Sequence, residues 1–184
     1  SVFDGFQGFG GSQGCEFSLS PFSDADIAGP ALGWRANSVS GYAYAVRRAD
    51  HLVSDVLDFV STDRGYAGRT AVIVTADHGG IGFGHSTSTN QSVYTIPFLV
   101  WGAGVTPSAD LYQLNPGRTD PGAGHVSRTA AASSPPVFNG DAGNLALSLL
   151  GYPAIPGSTI NAVQDLFAGG NGGGGDDGGG DDGG

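Results

Sequence analysis

The sequence contains no lysine. Its 7 basic residues are all arginine and face 17 acidic ones, giving a net charge of −10. Nucleic-acid backbones are bound through clustered Lys and Arg, so this balance excludes a general nucleic-acid binder. Four of the acids (Asp176, Asp177, Asp181, Asp182) sit in the C-terminal tail, and the rest of the chain remains acidic without them. Arg47-Arg48 is the one adjacent basic pair, and it reads as a solvated helix face. Cysteine is almost absent as well: Cys15 stands alone. That excludes an intrachain disulfide and a cysteine-based zinc site, leaving His and carboxylates to hold any metal. No apolar run approaches the roughly 18 residues that a membrane-spanning helix needs. Ser1 is preceded by no Met and followed by no signal peptide, so the start is expected to be processed or to belong to something longer.

What is present is 184 residues, enough for one domain with a buried core. The last stretch, 169–184, holds only Gly, Asp and one Asn. It cannot bury apolar surface and reads as a disordered linker, because each Gly-Asp calcium repeat would need an aliphatic residue. The division is therefore 1–168 and 169–184. Residues 1–14, rich in Gly and Phe, read as irregular. A short strand is expected over 16–20, where Phe17 and Leu19 alternate with polar residues. Residues 21–37 carry Pro21, Gly29, Pro30 and Gly33 and read as loop.

Ser40 to Ser61 is the clearest helix. Tyr42, Val46, Ala49, Leu52, Val53, Val56, Leu57 and Val60 recur at three- and four-residue steps, with Ser40 as N-cap. His51, Asp50 and Asp55 fall on its surface. Thr70 to Ala76 (TAVIVTA) is a β-branched run of the kind buried on both faces of a parallel sheet. Helix followed by buried strand is an α/β rhythm. A second strand is expected over Ile96 to Trp101, with Pro97 placing its start at an edge. Residues 102–140 form a long irregular stretch containing His125, read as ordinary loop. Asn144 to Leu150 is a short helix, ended by Gly151, with Asp141 and Asn144 as capping residues.

The chemistry concentrates in Thr70 to His85, TAVIVTADHGGIGFGH. A buried strand ends, and Asp77 and His78 follow at once. Open α/β sheets bind ligands just beyond the carboxyl ends of their strands. Gly79-Gly80 lets the chain turn there, so that adjacent side chains can converge on one ion. A carboxylate with an imidazole suits zinc, and also manganese or iron. His85, seven residues on across a glycine-rich loop, could complete the set. The G-x-S-x-G string at 10–14, around Ser12, is not placed between a strand and a helix and so is no nucleophile elbow, and there is no P-loop.

TADHGG, the following GH and TIPFLVWGAGV together resemble the alkaline phosphatase superfamily. The nearest branch is that of bacterial alkaline phosphatase-like and type I phosphodiesterase/nucleotide pyrophosphatase proteins. NGDAGNLALSLLGYPAIPGSTIN also resembles the end of that branch, so the likeness runs over roughly 22–167, the C-terminal half of such an enzyme. It implies a partial three-layer α/β sandwich with a mostly parallel sheet. It implies two divalent ions, usually zinc, about 3.5–4 Å apart around a phosphoryl group. Asp77 and His78 match the ligand pair of one ion. SDADIAGPALGW matches the family pattern D-x-x-G-H-x-x-G-W, which makes Asp26 a ligand of the other ion, with His85 its later partner. The same register puts Pro30 where the family has His, so that second site is expected to be weak or empty. Neither Ser1 nor Ser12 sits between a strand and a helix, and no nucleophile is assigned. The resemblance therefore implies a metal-dependent hydrolase of small phosphate esters, inactive without the half that carries the nucleophile. It also implies a periplasmic or extracellular location. Within the same superfamily a sulfatase or a phosphoglycerate mutase fits too. A non-catalytic binding protein on a decayed enzyme fold is the remaining alternative. Half of such a fold should also leave an apolar face exposed.

Overall fold

The computed structural model describes residues 7–9, 17–35, 37–122 and 133–169. Cys15, His125 and 170–184 lie outside these, as do Ser1 and Ser12. The chain contributes β1 (Gln7–Phe9), β2 (Phe17–Leu19), α1 (Asp24–Leu32), α2 (Gly41–Thr62) and β3 (Ala71–Thr75). Then follow α3 (Gln91–Tyr94), β4 (Phe98–Gly102), α4 (Leu111–Leu114) and α5 (Asp141–Leu149). Among the described residues no helix is long and apolar enough to cross a membrane.

The long helix forms as its periodicity predicts. The Ser40 hydroxyl accepts from the Ala43 N–H at 3.0 Å, satisfying one of the free donors at the start of α2. Ser40→Ala should therefore cost about 1 kcal/mol, lowering the melting temperature in a calorimetric scan by about 2–4 °C. Its apolar stripe is only partly covered: Ala45 and Val60 are buried, whereas Val46 is 41% exposed. His51, Asp50 and Asp55 are exposed, as the periodicity places them.

The segment 21–37, read as loop, instead contains the helix α1. Gly29 and Pro30 lower its intrinsic propensity, and Pro30 has no N–H to donate to the Asp26 carbonyl one turn back. Tertiary packing overrides this. α1 lies along α2, with Leu32 over Gly41 and Asp24 paired to Arg48 at 3.2 Å. Asp24 and Asp26 in its first turn also suit the positive end of the helix dipole. A side chain at Gly41 would meet Leu32 Cδ1 at 2.3 Å, so the two helices meet at a bare backbone.

The strand pairing departs from the parallel sheet expected. β3 runs antiparallel to β4, with Ile73 opposite Val100 and Thr75 opposite Phe98, and β1 runs antiparallel to β2. A parallel pair needs a crossover of a dozen or more residues, usually helical. Between β3 and β4 the only helix is the 4-residue α3, so the chain returns from the end at which it left. Alternating burial along β4 is what an antiparallel strand with one covered face shows. Its uncovered side carries Leu99 (61% exposed) and Trp101 (43%).

The core lies on the other face. Leu145 and Leu166, each 1% exposed, pack with Ala168 against Ile73, Phe98 and Val100. Asp141 and Asn144, expected to cap α5, do something else. The N-cap position is Gly140, with no side-chain cap. Asn144 is buried and holds the following segment: its Nδ2 donates to Ile160 O at 2.8 Å and to Ser158 Oγ at 3.0 Å. Its Oδ1 accepts from the Ile155 N–H at 2.8 Å. Asp141, fully buried, accepts from the Phe138 N–H and pairs with Arg118. Burial pushes the Asp141 carboxyl above its ordinary value; the Phe138 N–H and the Arg118 guanidinium offset this only in part.

Candidate metal centre

β3 stops at Thr75, whose hydroxyl donates to the Pro97 carbonyl at 2.9 Å and ties the strand end to the start of β4. The chain then turns sharply. The Gly79 N–H donates to the Val93 carbonyl at 2.6 Å, and a Cβ at Gly79 would lie 2.2 Å from Ser92 O. Only glycine allows that approach to α3. Residues 81–84 close a tight turn through reciprocal bonds between Ile81 and Gly84. The Trp34 N–H donates to Gly82 O at 2.8 Å, docking this turn beside the end of α1. The loop thus brings His85 back to His78.

The two imidazoles stack, with ring centroids 4.1 Å apart and planes 10° from parallel. Asp26, projecting from α1, faces both: its Oδ1 lies 3.7 Å from His78 Nε2 and 3.8 Å from His85 Nε2. One ligand atom from each of Asp26, His78 and His85 lies within 4.8 Å of the others. Asp77 reaches the group from its edge, with Oδ2 3.6 Å from His78 Nε2 and Oδ1 accepting the His78 N–H at 3.0 Å. Its side chain is 84% exposed.

These separations are too long for hydrogen bonds. They are close to the spacing of atoms that share one ion, since ligands about 2.0–2.2 Å from zinc in a tetrahedron lie about 3.4 Å apart. The tautomer fits as well. His78 Nδ1 lies 2.9 Å from the Gly79 carbonyl. A carbonyl can only accept, so Nδ1 is the donor in this contact, and a neutral ring in that tautomer turns its Nε2 lone pair toward Asp26. Outer bonds of this kind orient histidines that ligate metals. Two imidazoles and a carboxylate form a donor set suited to zinc or a neighbouring transition ion.

The grouping differs from the division implied by the resemblance. His78, matched to one ion, sits with Asp26 and His85, matched to the other. Pro30 is exposed on α1 and offers no donor, and Asp24 is engaged with Arg48. The imidazole that accompanies Asp26 and His85 is thus His78.

Trp34 forms the wall behind the histidines. Its indole meets His78 and His85 edge-on, at centroid distances of 6.0 and 6.1 Å. It lies between two glycines: a Cβ at Gly29 would be 2.2 Å from Trp34 Cε2, and one at Gly80 would be 2.1 Å from Cδ2. Gly80→Ala is therefore expected to force the indole aside, at about 1–3 kcal/mol. A urea melt followed by tryptophan fluorescence reads both effects; unchanged midpoint and emission would show that the wall yields freely. A cleft of about 390 Å³, lined by Phe98, Val100, Asp110, Leu111, Tyr112 and Val137 among others, is formed by other residues than this group.

The remaining contact was not legible in the sequence. The Asn139 side-chain amide donates to the Asp77 carbonyl at 3.1 Å, from 62 residues away. Nothing local in the sequence marks such a pairing.

The sulfatase family model matches residues 4–132, a span that contains Asp26, Asp77, His78 and His85. The chain belongs to the sulfatase family. This family is part of the alkaline phosphatase superfamily, whose members hydrolyse sulfate or phosphate esters and bind divalent metal. The match ends before the stretch 139–161, so the sulfatase family assignment rests on the part that holds the metal-ligating candidates. Comparisons with curated proteins and with solved structures return no match.

Proposed function

We propose that this sulfatase-family chain supplies the metal-holding side of a phosphate-ester hydrolase site. The observation that carries the reading is the convergence of Asp26, His78 and His85, with His78 Nδ1 held against the Gly79 carbonyl. Asp26, His78 and His85 would hold one divalent ion, and zinc best suits their donor atoms. Asp77, mostly exposed at the edge of the group, would serve a second, weaker position. A divalent ion in this setting supplies Lewis acidity toward an ester oxygen. The chain's own residues do the rest: α1 fixes Asp26, the glycine turn returns His85, and Trp34 backs the ring pair. On this reading 1–168 belong to one alkaline phosphatase-like domain of layered α/β form, and the protein works outside the cytoplasm. None of the four ligating candidates is the nucleophile.

Phosphate is favoured over sulfate by the imidazole-rich donor set, because paired zinc-type ions serve phosphoryl transfer. The family description favours the second reading, a sulfate ester. Anion binding separates the two without requiring turnover. Isothermal titration of the Zn²⁺-loaded chain should show inorganic phosphate binding at least tenfold more tightly than sulfate. His85→Ala should abolish the difference. Sulfate binding as tightly as phosphate would sink the phosphate reading, and a chain that takes up no Zn²⁺ would sink both.

A further inference from the structure

Asp77 and His78 are neighbours, so the orientation of the one peptide between them decides where both side chains start. That peptide lies beyond the last ladder pair of the sheet, Thr75 with Phe98, and β4 does not hold it. Its neighbours are fixed. The His78 ring is held by the Gly79 carbonyl, and Gly79 is anchored through its N–H to Val93. The His78 N–H is taken by Asp77 Oδ1. The other polar end of the same peptide, the Asp77 carbonyl, accepts from Asn139 Nδ2 at 3.1 Å.

The mount of Asn139 is stiff. Its Oδ1 accepts from the Gly140 N–H at 2.8 Å, which sets the amide so that Nδ2 points away toward Asp77. The turn beneath it is closed three times: Asp141 N–H to Phe138 O at 3.1 Å, Ala142 N–H to Asn139 O at 3.1 Å, and Phe138 N–H to Asp141 Oδ2 at 2.6 Å. Asp141 is in turn clamped by Arg118 at 3.2 Å. Asn139 is exposed, but both ends of its amide are engaged, and a side chain donating to the one peptide that links two ligating candidates sets a position rather than filling space.

We propose that Asn139 is a positioning residue of the metal centre, holding the Asp77–His78 peptide through its side-chain amide. The proposal rests on the reading of Asp77 and His78 as metal ligands. Two variants test it. Asn139→Asp keeps the size and the oxygen that accepts from Gly140 but removes the donor to Asp77. Asn139→Ala removes both bonds, and if it fails to fold, Asn139→Asp carries the comparison.

Metal-free chain 1–184 is titrated with Co²⁺ and followed by visible absorption, with His85→Ala as control. The histidine ring ¹⁵N resonances are recorded beforehand by NMR. Loss of a partner to a ligating segment is expected to weaken Co²⁺ binding about 10–100-fold, to change the Co²⁺ band positions, and to shift the His78 ring resonances in the metal-free chain. A merely structural role would lower the melting temperature and leave the spectrum of the bound ion as it was. Wild-type binding that His85→Ala weakens at least tenfold upholds the metal reading. With that in place, Asn139 variants that bind Co²⁺ within twofold of wild type, with the same bands, overturn this inference alone. A wild-type chain that binds no Co²⁺ overturns both.

Discussion

Arg118→Ala is expected to destabilise the fold by about 3–5 kcal/mol, the range for removing one partner of a buried ion pair. The Arg118 side chain is 7% exposed and joins three pieces of chain. Its Nη2 donates to Asp141 at 3.2 Å and to Asp165 at 2.8 Å, and its Nη1 to the Pro136 carbonyl at 3.4 Å. Among the described residues, removing it leaves the fully buried Asp141 side chain with the Phe138 N–H as its remaining partner. Thermal unfolding should fall by roughly 10 °C, given about 2–4 °C per kcal/mol in a chain of this size. A drop under 2 °C would show that the clamp contributes little.

The same pair predicts a pH dependence. The folded Asp141 carboxyl titrates above its ordinary value because burial outweighs its partners. Between the ordinary and the raised value the folded state binds more protons than the unfolded state. This group's contribution to stability is therefore highest below the ordinary carboxylate range. It falls as pH rises through the raised value and is then constant. Arg118→Ala removes a charge that favours the ionised form, so the window should extend upward. The variant's deficit relative to wild type should then be smaller in mild acid than at neutral pH, as measured by urea unfolding at both.

His78→Ala should have the largest effect on metal binding. Whole zinc sites with four ligands bind with about 10–16 kcal/mol. One ligand in four therefore stands for about 3 kcal/mol, or roughly a hundredfold in affinity at 1.4 kcal/mol per tenfold. His78 is the residue that both carboxylates approach, at 3.6 Å from Asp77 and 3.7 Å from Asp26, so its loss uncouples them. Asp77→Ala should cost less, because that carboxylate is mostly exposed and stands at the edge of the group. Competition for Zn²⁺ against a chromogenic chelator orders the variants. Equal affinities for His78→Ala and wild type would remove His78 from the ligand set.

Local order was readable wherever it depends on near neighbours in the chain. α2 follows from the spacing of Tyr42 through Val60 and the cap at Ser40. β3 follows from its β-branched run, and the Asp-His pair at its exit pointed to the candidate site. α1 was hidden because Gly29 and Pro30 argue against a helix locally. Their purpose is tertiary: Gly29 makes room for Trp34, and α2 supplies the packing that Pro30 weakens. Asp141 and Asn144 looked like caps because a short polar residue at a helix start usually is one. Their actual partners, Arg118 and residues 155–160, are chosen by the folded chain.

By itself, the sequence determined which side chains are available to hold a metal, which helix is longest, and where a strand gives way to a loop, because each depends on contacts within a few residues. The tertiary structure alone decided that β3 and β4 run antiparallel, that His78 rather than a residue at position 30 joins Asp26 and His85, and that Asn139 reaches the Asp77 carbonyl. Those outcomes depend on which distant segments end up adjacent once long loops have closed, and no periodicity in the chain encodes that.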